Sequence, residues 1–178
     1  APRSFCFNGA PLPECQTFLI VEMQGVLPIV QTTRQVSWYG GYGYEESPFE
    51  DQLQWELGLM HNIGERWAVG GAARLGPGSA GALTGVTVRA RRWLSTDVGV
   101  DLAAGASFMT ISSPNWKERS TGWLADARLN FNDDAYAGLR FEAFSLDPFR
   151  GPDASDPGGP QRSVSLLLGV GSEWALGG

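Results

Sequence analysis

The chain has 178 residues, a formal net charge of −6, 18% charged residues and 24 glycines. That length suits one domain, the acidic balance speaks against a nucleic-acid-binding protein, and no run of about eighteen apolar residues is present to form a transmembrane helix. Lys117 is the only lysine among 13 cationic residues, and arginine is the cation better suited to buried, bidentate pairing with carboxylates.

Residues 1–16 form an N-terminal segment ahead of the first predicted strand. It contains Cys6 and Cys15, the only cysteines. A small disulfide loop made in an oxidising compartment is the favoured reading, with two free thiols as the alternative. Two sulfurs do not complete a tetrahedral metal set, and the only histidine, His61, is far away in sequence, so no metal site is expected. Ala1 suits the residue left after removal of a leader, since cleavage sites use small residues.

From Thr17 onward the chain alternates polar and apolar residues. Side chains alternate faces along a strand, so each such run is a strand with one oily and one polar side. The first predicted strand, about Thr17 to Val30, sets Leu19, Val21, Met23 and Leu27 opposite Glu22 and Gln24. A long aromatic and glycine-rich segment follows, with Trp38, Tyr39, Tyr42 and Tyr44. The second strand, Asp51 to Ile63, is the clearest: Leu53, Trp55, Leu57 and Leu59 against Gln52, Gln54, Glu56 and Gly58. After a short turn at Gly64-Glu65 comes a third from Trp67 to Leu75, carrying Arg74, and then a modest loop over Pro77–Gly81. The fourth, Ala82 to Leu94, opposes Val86 and Val88 to Arg89 and Arg91; a tight turn leads to the fifth, with Val98, Val100 and Leu102 against Asp101. A polar stretch, Ser112–Arg119, reads as a loop. The sixth strand carries Asp126 and Arg128, the seventh Arg140 and Glu142, and a Pro/Gly/Asp-rich loop from Asp147 to Gln161 precedes the eighth, with Val164, Leu166, Leu168 and Val170 on one face.

The reading is all-β: eight antiparallel strands of about nine to twelve residues, each long enough to cross a membrane. Long and short connections alternate, which puts long loops on one rim and tight turns on the other. With these features, from about Thr17 to Trp174, the chain resembles the small eight-stranded outer-membrane β-barrels, the OmpA- and OmpX-type class. The resemblance implies an up-and-down transmembrane barrel over residues 17–178, with segment 1–16 in the periplasm of a Gram-negative-type bacterium and longer loops outside the cell. Such barrels usually end in an aromatic residue; this sequence ends Glu173-Trp174-Ala175-Leu176-Gly177-Gly178, so that feature is absent or displaced to Trp174. Trp67 and Trp93 beside the short turns, and Trp38, Trp116 and Trp123 near the long loops, suit two interfacial girdles.

In this arrangement the apolar faces meet lipid. The lumen then receives Glu22, Glu56, Arg74, Arg89, Arg91, Asp101, Asp126, Arg128, Arg140 and Glu142, together with Gln24 and Gln54. An eight-stranded barrel is only wide enough for side chains to fill, and isolated buried charges are expensive. Mutual pairing into a salt-bridged plug follows as the expectation.

No catalytic constellation is expected. His61 falls on the lipid-facing register with no serine nearby in sequence, and no nucleophile elbow, phosphate loop or zinc spacing occurs. Three functions are therefore weighed: a non-enzymatic structural or interaction protein of the outer membrane, a soluble lipocalin-like barrel binding a small apolar ligand, and a lipid-modifying outer-membrane enzyme. The first is preferred because the continuously apolar face lacks a well-centred charge. Its expected partners are the lipid bilayer and lipopolysaccharide, together with other envelope proteins reached through the loop residues Trp38, Tyr39, Tyr42 and Tyr44; exposed Tyr and Trp are favoured interface anchors. No cofactor is expected.

Overall fold

A computed structural model of the chain describes residues 17–38, 43–46, 49, 51–63, 66–78, 81–95, 98–113, 116–131, 135–146, 149–150, 154–156 and 158–176. Segment 1–16 with Cys6 and Cys15 lies outside the described residues, as do Tyr39 and Tyr42.

The described elements are strands: β1 (Thr17–Gln31), β2 (Arg34–Trp38), β3 (Gly43–Glu46), β4 (Gln52–Ile63), β5 (Trp67–Gly78), β6 (Gly81–Trp93), β7 (Val98–Ser113), β8 (Trp116–Phe131), β9 (Ala135–Leu146), β10 (Phe149–Arg150), β11 (Ala154–Asp156) and β12 (Gly159–Ala175). Eight of them close an antiparallel barrel in the order β1-β12-β9-β8-β7-β6-β5-β4. Closure leaves no open edge in the barrel, so every strand finds hydrogen-bonding partners on both sides. β1 closes the seam: it pairs with β12 from Phe18↔Ala175 to Gln31↔Ser163, with a register shift between Pro28 and Val30, and with β4 from Thr17↔His61 to Val26↔Gln52.

The four remaining strands form a separate sheet, ordered β10-β11-β2-β3. Its strands come from the two long connections, between β1 and β4 and between β9 and β12. The aromatic segment read as a loop therefore contains β2 and β3, and the Asp147–Gln161 stretch contains β10, β11 and the start of β12. The other two connections on that rim are tight. β5 and β6 run together to Gly78↔Gly81, and β7 and β8 to Ser113↔Trp116, so Pro77–Gly81 and Ser112–Arg119 are largely strand. At about 3.3 Å per residue, the 16-residue strands β7 and β8 are longer than a bilayer crossing needs. Their distal ends have no lipid face to satisfy, which is why the alternation fades there.

Inside the barrel the ends are apolar. Near the short turns Phe18, Ile20, Met60, Ala68 and Ala72 pack together. Toward the opposite rim Phe49, from the segment just before β4, packs with Leu83, Met109 and Phe144. The sequence reading had given the lumen polar residues only.

Glycine sets how closely the wall approaches its own contents. The Tyr136 ring lies against Gly169, where a Cβ would sit 2.2 Å from Tyr136 Cζ, and from there the Tyr136 hydroxyl donates to Gln24 Oε1 at 3.2 Å. Gly169→Val is expected to displace the ring and destabilise the barrel by about 1–3 kcal/mol, the usual range for overpacking. Urea unfolding of the lipid-folded protein reads this directly. The penalty should shrink when Tyr136 is first shortened to Ala.

Candidate functional site

The wall separates two chemistries by the parity of each strand. Along β4, Leu53, Trp55, Leu57 and Leu59 face outward, with Leu57 56% exposed, while Gln54, Glu56 and Met60 are buried inside. The same division holds around the cylinder: Val86, Val88, Leu102, Trp123, Leu129, Leu139, Leu168 and Val170 are exposed on the outer surface. An apolar surface of that extent in water is an aggregation hazard; against acyl chains it is the required solvent contact. The polarity is that of a membrane-spanning barrel, apolar outside and charged inside. The apolar lumen that a lipocalin-like carrier needs is replaced by a charged one.

The structure places all ten sequence-predicted lumen residues, Glu22, Glu56, Arg74, Arg89, Arg91, Asp101, Asp126, Arg128, Arg140 and Glu142, in the barrel interior. It also brings Glu173 of β12 inside, a residue the sequence reading missed. Glu173 shares the parity of Ser163, Ser165 and Gly171, so extending the alternation of the last strand by one step would have found it.

Two carboxylates, Glu22 and Glu56, stand directly opposite each other on β1 and β4. Side by side they repel. Arg128, reaching over from β8, donates through Nη1 to Glu22 Oε2 at 2.9 Å and through Nη2 to Glu56 Oε1 at 2.9 Å, and also to Asp126 Oδ2 at 2.6 Å. Arg89 of β6 closes a two-pronged contact on Glu22, with Nη1–Oε1 at 3.0 Å and Nη2–Oε2 at 2.7 Å. Arg140 forks onto Asp126 through Nε at 2.7 Å and Nη2 at 2.8 Å, and donates to Gln54 Oε1 at 2.5 Å. Gln24 donates to Glu56 Oε1 at 2.8 Å.

Two further groups flank this centre. Arg74 of β5 pairs across the lumen with Glu142 of β9 at 2.8 Å, and Ser107 hydrogen-bonds both. Arg91 forks onto Asp101, directly opposite it on β7, with Nε–Oδ1 at 2.5 Å and Nη2–Oδ2 at 2.8 Å, and pairs with Glu173 across the lumen. Forked donation of this kind needs a planar guanidinium with several N–H groups; an ammonium cannot reproduce it.

The tryptophans divide. Trp67, Trp123 and Trp174 are exposed on the outer surface, and Trp123 packs against Phe141 with ring centroids 4.9 Å apart. Trp93, expected in the girdle, is instead 5% exposed and lies under the Arg91 guanidinium, 4.9 Å from the ring centroid. Its parity is that of Arg89 and Arg91, which turns it inward. His61 is exposed on the outer face, where its Nδ1 lies 2.9 Å from Thr17 Oγ1. Of the aromatic contact residues, Trp38 falls in β2 and Tyr44 in β3.

No protein-family model matches the sequence. None of the curated proteins matches it. Among solved structures, the chain is similar in outline to Ail, the attachment invasion locus protein of Yersinia pestis in complex with the heparin analogue sucrose octasulfate, at 14% identity, 89% of this chain, 99% of that one and a TM-score of 0.47. It is similar also to the outer membrane protein OprG from Pseudomonas aeruginosa, at 10% identity, 92% and 98% coverage and a TM-score of 0.44. Neisserial surface protein A is a third, at 10% identity, 88% and 96% coverage and a TM-score of 0.43. These are likenesses of the barrel, and no residue's role is carried over from them.

Two outcomes follow from the division between wall and lumen. Arg128→Met leaves three carboxylates without their shared cation and should cost about 3–5 kcal/mol in urea unfolding, the usual effect of removing one partner of a buried ion pair. Leu57→Arg, on the outer face, should lose about 2–4 kcal/mol and lower the folded yield in lipid vesicles. Equal yields for Leu57→Arg and wild type would contradict the lipid-facing assignment.

Proposed function

We propose that the chain is a non-enzymatic outer-membrane barrel whose lumen is closed by its own ion pairs and whose extramembrane sheet is the surface for contact with partners. The observation that carries this reading is the cross-lumen pairing: Arg128 with Glu22 and Glu56, Arg89 with Glu22, Arg74 with Glu142 and Arg91 with Glu173. Each pair spans the interior of a cylinder with room for side chains alone. The apolar clusters at the two ends leave the network little access to water, which favours a fixed plug over a conducting path.

The non-enzymatic part rests on where the reactive groups lie. The single histidine is on the outer wall beside Thr17, whereas the buried serine–carboxylate contact, Ser107 with Glu142, is inside and served by Arg74. A serine hydrolase needs its base, nucleophile and orienting acid together.

The contact surface is acidic. The two long connections carry Glu45, Glu46, Glu50, Asp51, Asp147, Asp153 and Asp156 against Arg34 and Arg150. A cationic partner, or an anionic one bridged by divalent cations as lipopolysaccharide would be, suits this composition. A polyanion such as the heparin analogue bound to Ail does not.

Two readouts on one preparation test the proposal. Detergent-extracted protein should come from the membrane fraction and change gel mobility on boiling, and proteoliposomes containing it should be no more permeable to small sugars and ions than empty vesicles. A steady open conductance would contradict the closed lumen. Recovery in the soluble fraction with no mobility shift would contradict the membrane reading.

A further inference from the structure

Among the described residues, the exposed cations at the short-turn rim are confined to one sector. Arg66, in the turn before β5, and Arg92, on β6, are both exposed. The backbone holds them together: Trp67 is the register partner of Arg92, and Trp93 N donates to Arg66 O at 2.9 Å. The Arg92 guanidinium lies over the Trp67 ring, 5.4 Å from its centroid. Among the described residues neither guanidinium is paired with a carboxylate. At the same rim β7, β8, β9 and β12 turn Val98, Phe131, Ala135 and Trp174 to the outside, and no described residue there is an exposed cation.

This is unlike every arginine in the lumen, each of which has carboxylate partners. It also stands at the boundary of the apolar band. Ile63, Val69 and Leu94 are exposed next to the two arginines, 51%, 40% and 54% respectively. A tryptophan at that height prefers the headgroup region, and stacking on its ring holds Arg92 in place while leaving its N–H donors free. A ligand that fits must offer an anionic group at the headgroup level and hydrocarbon directly beneath it.

We propose that Arg66, Trp67 and Arg92 form a clamp for the phosphodiester of an anionic phospholipid in the leaflet at the short-turn rim. The two guanidinium groups donate to the phosphate oxygens, and the acyl chains run toward the bilayer centre along the β5–β6 face past Val69 and Val88, 40% and 71% exposed. The inference rests on the membrane-spanning reading.

Native mass spectrometry of the detergent-solubilised barrel, titrated with phosphatidylglycerol or phosphatidylcholine, tests it. One phosphatidylglycerol should be retained about tenfold more strongly than phosphatidylcholine, the scale expected for one to two arginines near an anionic surface. The Arg66→Gln/Arg92→Gln variant should lose that preference. Arg66→Lys/Arg92→Lys should keep part of it, and Arg119→Gln/Arg162→Gln, on the opposite rim, should keep it whole. Equal retention of the two lipids, or a preference untouched by Arg66→Gln/Arg92→Gln, would overturn the clamp. Displacement of the lipid by millimolar glycerol phosphate would assign the site to a free phosphate ester instead. Failure of the wild-type protein to insert into vesicles would overturn the membrane reading along with the clamp; normal insertion without lipid preference would overturn the clamp alone.

Discussion

Two carboxylates face each other across the β1–β4 seam, buried inside the barrel, and the placement of Arg89, Arg128, Asp126 and Arg140 follows from that constraint. Glu22 and Glu56 repel each other there unless cations are brought from elsewhere in the cylinder. Arg128 and Arg89 supply them from β8 and β6. Arg128 also meets Asp126, which in turn requires Arg140. The strands that contribute these residues are far apart in sequence and on different sides of the barrel. The network therefore ties the closed state together in a way that hydrogen bonding between neighbouring strands does not. A buried ion pair adds little net stability against an apolar filling. What it adds here is a requirement that all of its strands be in register at once, since slipping one by a single residue turns its charge into lipid.

The outer wall obeys a simpler rule. Within the apolar band each residue that alternates with a lumen charge must be acceptable to hydrocarbon, and Leu, Val, Ala, Trp and Phe fill most of those places from β4 to β12; at the short-turn rim Arg92 and Ser172 take them instead. Lipid and lumen share one backbone, so the two faces cannot be adjusted independently. The near-absence of lysine follows from the same geometry. Arg91 on Asp101, Arg140 on Asp126 and Arg89 on Glu22 each use two nitrogen atoms against two oxygen atoms.

Much of this was legible in the sequence because period two is a property of the chain itself. The outward placement of Leu57 and the inward placement of Glu56 need no tertiary information. Trp93 and Glu173 show the same rule applied incompletely. Trp93 was assigned by its nearness to a turn, although its parity with Arg89 and Arg91 turns it inward; Glu173 was passed over although Gly171 and Ser165 share its face. Phe18 and Ile20 are a different case. They share parity with Glu22, but apolar residues on both faces of a strand end erase the contrast on which the pattern depends. Which arginine meets which acid was beyond reach, because cross-lumen partners depend on strand tilt and closure. The extramembrane sheet was hidden for another reason: β3, β10 and β11 are four residues or fewer, lie among Gly and Pro, and depend on pairing between two distant connections.

The measurement that bears most directly on the account is contact between side chains and lipid along β4. In isotopically labelled protein embedded in lipid nanodiscs, nuclear Overhauser effects from the acyl-chain methylenes should reach the methyl groups of Leu53, Leu57 and Leu59. They should not reach the side chains of Gln54, Glu56 and Met60. Contacts that skip the leucines, or that fail to alternate along the strand, would contradict a barrel that turns its charges inward and its apolar face to the membrane.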